Sequence, residues 1–363
     1  MSEIKGMIKE SVTRLFAGLF KPPELARFDR DGPSDAVWQA CVDLGLDRAL
    51  LSEDHGGIGA APADVFSIAH ASGYYAAGIP LAETMMACWL LARAGITPPR
   101  GPGVLLDDTG STVPLVIERN GPQRRILSGE VRNVCWAGKA DWAVAAQCRA
   151  DVCEVYLISL NPADGVLRQP KRNIASEPGA DLTFMNTPVL AAGALPANAG
   201  LNPLRLAGAL VRSAQISGAL EKVLELAVQY AKERVQFGKQ IGQNQAIQQM
   251  LALLAGHVAA ARVAALVAWS GSANSAFDIS VAKVRCSEAA GFAASAAHQV
   301  HGAIGFTHEH TLNFFTRRLW SWRGEFGSDA WWSAELGRHA IAAGKANFWA
   351  SLVEREWHNV AIK

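Results

Sequence analysis

Two stretches of the chain carry side chains whose types and spacing could do chemistry. The first is Glu233-Arg234-Val235-Gln236-Phe237-Gly238-Lys239-Gln240-Ile241, followed by Gln245 and Gln248-Gln249. An arginine here can hold a phosphate through two parallel N–H bonds, and the glutamine amides add donors and acceptors. Gly238 stands where a long helix should stop, the position that such an end favours. An arginine that caps its own helix end is the competing reading. The second stretch is Gln299-Val300-His301-Gly302-Ala303-Ile304-Gly305-Phe306-Thr307. Its small residues let another backbone or a pyrophosphate approach closely. An ordinary glycine-rich helix stop is the competing reading there.

Other candidates are weaker. His298 and His301 are three residues apart, but no third metal ligand of the right kind is near, so packing or a place beside a cofactor is expected. Asp54-His55 is expected in a turn, and Lys283 as a surface or inter-helix charge. Six cysteines (Cys41, Cys88, Cys135, Cys148, Cys153, Cys286) are scattered without C-x-x-C spacing. All six are expected as reduced, mostly buried thiols, with no metal site.

The elements that must position these residues are mostly helical. With 363 residues, half of them hydrophobic, the chain can bury a large core without disulfides or metal. The 34 Lys+Arg nearly cancel the 33 Asp+Glu, so the basic excess of a nucleic-acid binder is missing. No run of ~20 consecutive apolar residues occurs, so no membrane span is expected. The start Met1-Ser2-Glu3-Ile4-Lys5 lacks a secretory pattern, which makes a cytoplasmic protein the expectation.

Residues 1–102 read as an N-terminal helical domain. Ile8, Val12, Leu15, Phe16 and Leu19 form one helical stripe, and further helices are expected over 37–46, 63–74 and 84–94. Pro22-Pro23, Gly32-Pro33 and Gly56-Gly57 break them. Residues 103–200 read as a small antiparallel β-barrel or sandwich, with strands over 113–118, 140–146, 152–160 and 181–189. Turns are expected at Asn120-Gly121-Pro122, Ser128-Gly129 and Asn161-Pro162, and a linker from Ala191 to Asn202. Residues 201–363 read as a C-terminal four-helix bundle, with helices over 204–235, 243–269, 279–300, 311–320 and 328–353. Four of the eleven tryptophans lie between Trp320 and Trp332, where core or interface packing is expected.

The pair Arg-x-Gln-Phe-Gly and Gln-x-x-Gly-Ala-x-Gly, one helix apart, resembles the C-terminal domain of the acyl-CoA dehydrogenase family. Leu44-Gly45-Leu46, Ser52 to Gly59 and Pro80 to Thr84 resemble its first helical domain. Ser128 to Trp136 and Ala140 to Val144 resemble strands of its middle domain. The resemblance implies FAD, with its diphosphate and adenine end gripped by a neighbouring subunit. By resemblance the grip would use Arg234, Gln236, Phe237, Gln299, Gly302 and Gly305, and Ser328 falls where the family has a cofactor-contacting threonine.

The departures concern the base. In the family a glutamate in an aromatic-Glu-Gly-Thr motif takes the substrate's α-proton while the flavin takes the β-hydride. Here the stretch is Trp322-Arg323-Gly324-Glu325-Phe326-Gly327-Ser328, so Phe326 takes the glutamate's place and Glu325 is one residue early. One residue on a helix turns a side chain by about 100°. Glu325 is then either a displaced base or a solvated helix-end carboxylate. The alternative family position falls near Gly208, with no acidic residue from Asn202 to Leu220. The flavin-loop segments of the middle domain are also missing: Val113 to Asn120 stands there, and Asn244 replaces a usual phenylalanine.

Such a member resembles the shortened subunit of heteromeric bacterial acyl-CoA dehydrogenases of steroid and related side-chain breakdown. The resemblance implies α,β-desaturation of an acyl-CoA in a homo- or hetero-oligomer. Electrons would pass to an electron-transfer flavoprotein or another external acceptor, with oxygen as in the oxidases a further option. A flavin-binding partner chain without a base of its own remains the alternative.

Overall fold

The structure is a computed structural model that describes residues 3–108, 111, 113–119, 124–149, 152–196, 201–270 and 276–355. Five helices come first: α1 (Glu3–Leu19), α2 (Pro22–Asp31), α3 (Asp35–Asp43), α4 (Pro62–Tyr74) and α5 (Leu81–Arg93). Ile8, Val12 and Phe16 are the buried stripe of α1, as their spacing predicts. Helix α2 is an addition to the reading of the sequence. Pro22-Pro23 does not end structure but opens a helix, in the first turn where no N–H partner is needed.

The middle of the chain forms β1 (Gly103–Leu105), β2 (Val116–Arg119), β3 (Arg125–Cys135), β4 (Trp142–Arg149), β5 (Val152–Ser159), β6 (Val166–Arg172) and β7 (Pro178–Pro196). Strand β7 is 19 residues long and serves two half-sheets. Its first half pairs with β3 and β6, and its second half with β5. Leu127, Val131, Trp136, Ala143, Tyr156 and Phe184 meet in one core.

Four local expectations are corrected. The sheet is not wholly antiparallel, because β1 pairs with β4 in parallel. Ser128-Gly129 is no turn: β3 runs through it with a register shift at Gly129, whose φ is 129°. The stretch from Ala191 to Pro196 is the end of β7 rather than a linker. Residues 197–200 of that linker and the turn at Asn120-Gly121-Pro122 lie outside the described residues.

The fourth correction concerns cysteine. Cys148 and Cys153 form a disulfide. They are partners in the register of β4 and β5, with Cα atoms 4.0 Å apart. A spacing of five residues hides this in the sequence, because pairing depends on the hairpin register. Cysteine usage therefore no longer argues for a reducing compartment. Cys41, Cys88, Cys135 and Cys286 take no part in a disulfide, and burial pushes the thiols of Cys41, Cys88 and Cys286 up to about 12.

The last part comprises α6 (Pro203–Glu233), β8 (Val235–Gln236), β9 (Lys239–Gln240), α7 (Gln245–Ser270), α8 (Ala276–His301), α9 (Leu312–Trp322) and α10 (Asp329–Glu354). Helix α8 buries a row of small residues, among them Ala282, Ala289, Ala293 and Ala297, and packs against α7, α9 and α10. Helix α10 kinks at Gly344. By length and hydropathy α7 is the one described helix that could cross a membrane. Its face of Leu254, Val258, Ala261 and Ala265 is buried, while Leu253 and Val263 are exposed.

Contacts divide the chain into two units. One is Met1–Arg27 with Phe66–Ala77 and Arg212–Lys363; the other is Phe28–Val65 with Gly78–Val211.

Candidate flavin and acyl-CoA site

Gly238 does not cap helix α6, which ends earlier at Glu233. Strands β8 and β9 pair across Phe237-Gly238, and both loop residues have positive φ, 53° and 79°. A two-residue hairpin turn of this twist needs φ above zero at both positions. A phenylalanine pays a conformational cost there, and its ring is 98% exposed. Arg234 and Gln236 are exposed beside it. The backbone of Arg234 closes the loop, since its carbonyl accepts from the Ile241 N–H at 2.9 Å.

The second motif ends α8 at the same end of the bundle. Tyr230, in the last turn of α6, stacks on His301 with ring centroids 4.5 Å apart. His310 packs edge-on against both rings, and His298 stacks on Phe306 at 4.1 Å. His301 is buried and donates from Nδ1 to the Ala297 carbonyl at 2.7 Å. Its Nε2 is buried without a hydrogen-bond partner, as is Nδ1 of His298. Burial pushes the pKa of His298, His301 and His310 down, which favours neutral rings. Among the described residues no group of three side chains could hold a metal.

Gln299 and Gly302 are exposed, and Gly305 is buried. The two glycines are needed for different reasons. Gly302 has φ +65° and open space around a built Cβ, whereas a Cβ at Gly305 would stand 2.9 Å from His301 Cβ and 3.2 Å from Leu312 Cδ2. Gly302→Ala is expected to cost about 1–2 kcal/mol of left-handed strain, and Gly305→Ala about 1–3 kcal/mol of overpacking. Asparagine tolerates the left-handed region. Urea unfolding should therefore show rescue by Gly302→Asn and none by Gly305→Asn; equal behaviour at both positions would refute the distinction.

Glu325 is not a solvated helix-end carboxylate. Arg212 Nε donates to its Oε2 at 2.6 Å and Ser321 Oγ to its Oε1 at 2.9 Å, and its side chain is only 15% exposed. Arg212 is fully buried, lies 5.5 Å from the Trp322 ring centroid and also donates to Gln215. Lys283 is no surface charge either. It is fully buried and donates to the carbonyls of Trp322 and Arg323 and to Ser287. Three helices thus pin the α9–α10 loop, where Phe326 and Gly327 both have positive φ. Ser328 accepts from the Trp331 N–H at 3.2 Å and so caps α10.

Sequence reading missed Arg212 and Lys283 as partners of this loop. The available signal was a lone basic residue inside an apolar helical run, Ala-Leu-Val-Arg212-Ser-Ala and Ser-Val-Ala-Lys283-Val. The helix position near Gly208 brings no acid. Arg205, close by, pairs with Asp107 at 2.8 Å. Asp54-His55 lies in a short helical turn, with His55 Nδ1 3.1 Å from Ser52 Oγ. Of the tryptophan cluster, Trp322 and Trp332 are core and Trp320 is exposed.

Burial lowers the Lys283 pKa to about 7, with Glu325 opposing the shift. Between that value and the unfolded lysine value the unfolded chain binds a proton that the folded chain lacks. Stability contributed by this group therefore rises with pH, at up to about 1.4 kcal/mol per unit. Lys283→Met should flatten the rise in unfolding free energy between about pH 7 and pH 9. Parallel slopes in the variant and the parent would contradict this.

Residues 197–332 match the family described as "Acyl-CoA dehydrogenase, C-terminal domain". Over 329 residues the chain is 27% identical to "Acyl-CoA dehydrogenase IpdE2" of Mycolicibacterium smegmatis, covering 88% of this chain and 93% of that protein. It is 40% identical over 110 residues to the protein of the same name from Mycobacterium tuberculosis, covering 30% of this chain and 34% of that one. The fold matches a chain of the ChsE4-ChsE5 complex from Mycobacterium tuberculosis with a TM-score of 0.86 at 20% identity, over 95% of this chain and 99% of that chain. With both glycine-bearing motifs at one end of the bundle, residues 197–332 carry the C-terminal domain of the acyl-CoA dehydrogenase family, whose members are FAD-dependent flavoproteins, and the fold agrees along nearly the whole chain.

Proposed function

We propose that this chain is a subunit of an FAD-dependent acyl-CoA dehydrogenase that grips the cofactor and does not supply the catalytic base. The carrying observation is the pairing of the exposed Arg234-Gln236-Phe237 hairpin with Gln299 and Gly302 through the Tyr230–His301 stack. The donor set fits a dinucleotide: a guanidinium for the diphosphate, two carboxamides, an exposed aromatic ring and an open glycine backbone. Arg234, Gln236, Phe237, Gln299, Gly302 and Gly305 would hold the adenosine diphosphate of a cofactor seated on a neighbouring subunit, and Ser328 would shape the loop facing it. FAD supplies the hydride acceptor for α,β-desaturation of an acyl-CoA thioester.

The second half of the proposal rests on Glu325. A base must come within reach of its proton, and here Arg212 and Ser321 hold one carboxylate oxygen each and pin the side chain in the loop. A dehydrogenase-like partner chain is the natural source of the α-proton acceptor, a reading supported by the likeness of this fold to a chain of the ChsE4-ChsE5 complex. Electrons would leave through an electron-transfer flavoprotein or another external acceptor. The apolar outward face of α7, with Leu253 and Val263 exposed, suits the oligomer.

The test is incubation of the flavin-loaded assembly with acyl-CoA thioesters of graded size and an artificial electron acceptor. Loss of two hydrogens from the thioester by mass spectrometry is expected. No product from any thioester would refute the proposal.

A further inference from the structure

In the same unit as the bundle, a cavity of about 440 Å³ opens between α1, α4, α6 and α7. Its size is that of a small-molecule site, roughly 300–1,000 Å³. Neither glycine-bearing motif contributes to it. Lys5 and Lys9, one turn apart on α1, line it together with Arg262 from α7, His70 from α4 and Glu221 from α6. Glu221 is the acidic group in that lining, 3.2 Å from His70 Nε2 and 3.3 Å from Arg262 Nη1. His70 beside it, with Arg262 and Lys9, keeps the Glu221 carboxyl below its usual range. Two lysines and an arginine therefore face one carboxylate, and an excess of two basic side chains converges on the cavity.

The rest of the lining is aromatic and apolar. Phe66 stands between His70 and Trp269, with ring centroids 5.4 Å and 6.4 Å away. Tyr74 donates its hydroxyl to Glu225 outside the cavity lining, so it offers the cavity a ring rather than a donor. Tyr75 and Leu266 complete the apolar wall.

We propose that this cavity binds a small organic anion, with a phosphate or carboxylate head on Lys5, Lys9 and Arg262 and an apolar ring against Phe66 and Tyr75. Like charges held together by a fold repel one another, and an anionic head relieves that repulsion while its ring leaves water. The single Glu221 carboxylate opposes the ligand head, so its charge limits affinity.

Phenyl phosphate, benzoate and phenol are the probes, titrated calorimetrically into the flavin-loaded assembly. Saturable one-to-one binding of phenyl phosphate or benzoate is expected, the tighter of the two fixing the head group, with no heat from phenol. Lys9→Ala and Arg262→Ala, both at exposed positions, should each weaken binding tenfold or more. Glu221→Gln should tighten it several-fold, a gain that a merely structural role would not produce. Flavin content should stay unchanged in all three variants, which separates this site from the cofactor grip. Absence of saturable binding by both anions, or binding indifferent to Lys9→Ala and Arg262→Ala, would overturn the proposal.

Discussion

Arg212→Ala is expected to lower the free energy of unfolding by about 3–5 kcal/mol, the cost of leaving one half of a buried ion pair alone. Arg212 is fully buried and reaches Glu325, whose remaining oxygen is taken by Ser321. Removing the guanidinium leaves the carboxylate largely enclosed without its Arg212 partner. It also leaves a void against Trp322, whose ring lies 5.5 Å from the guanidinium carbon. Replacing both partners with apolar residues is a different case, because neither charge then needs solvation. The double variant Arg212→Met with Glu325→Met should recover more than half of the loss in urea unfolding. A loss below about 1 kcal/mol in Arg212→Ala would place the pair in the weak class of solvent-screened bridges and contradict its role as a clamp.

That clamp marks where the sequence stops being legible. Periodicity shows which face of a helix is buried, as with Ile8, Val12 and Phe16, and it finds the helices that lead into both motifs. It does not show which residue of another helix meets that face. Arg212 and Glu325 are 113 positions apart, so their pairing is a product of helix packing rather than of local spacing. The Cys148–Cys153 bridge fails to show for a related reason, since only the β4–β5 register sets the two residues opposite each other. The hairpin at Phe237-Gly238 is an intermediate case. The glycine is visible, but whether it ends a helix or turns a hairpin depends on where α6 stops. Once α6 stops at Glu233, the positive φ at both positions follows from the strand pairing.

Arg234→Ala should weaken flavin retention by about tenfold to a hundredfold, since a hydrogen bond to a charged group contributes about 1.5–3 kcal/mol. The residue is exposed at the base of the hairpin and its backbone, not its side chain, closes the loop, so folding should be unaffected. Arg234→Lys should recover only part of the retention, because an ammonium cannot make the two parallel bonds of a guanidinium. The measurement is the flavin-to-protein ratio of the purified assembly after extended dialysis, with circular dichroism as the check on folding. Unchanged retention in a folded Arg234→Ala protein would remove the hairpin from the cofactor site.

The most direct test of the central claim, that this chain holds the cofactor while another group takes the proton, is the turnover of Glu325→Gln. The assay is steady-state dehydrogenation of acyl-CoA thioesters by the flavin-loaded assembly, normalised to folded, flavin-bearing protein. General base catalysis contributes about 10²–10⁴-fold, so the two possibilities are well separated. The expected result is turnover by Glu325→Gln within about threefold of the parent, far inside that range. A fall of a hundredfold or more in Glu325→Gln, with flavin content intact, would show that Glu325 leaves Arg212 to act as the base and that this chain is a self-sufficient dehydrogenase.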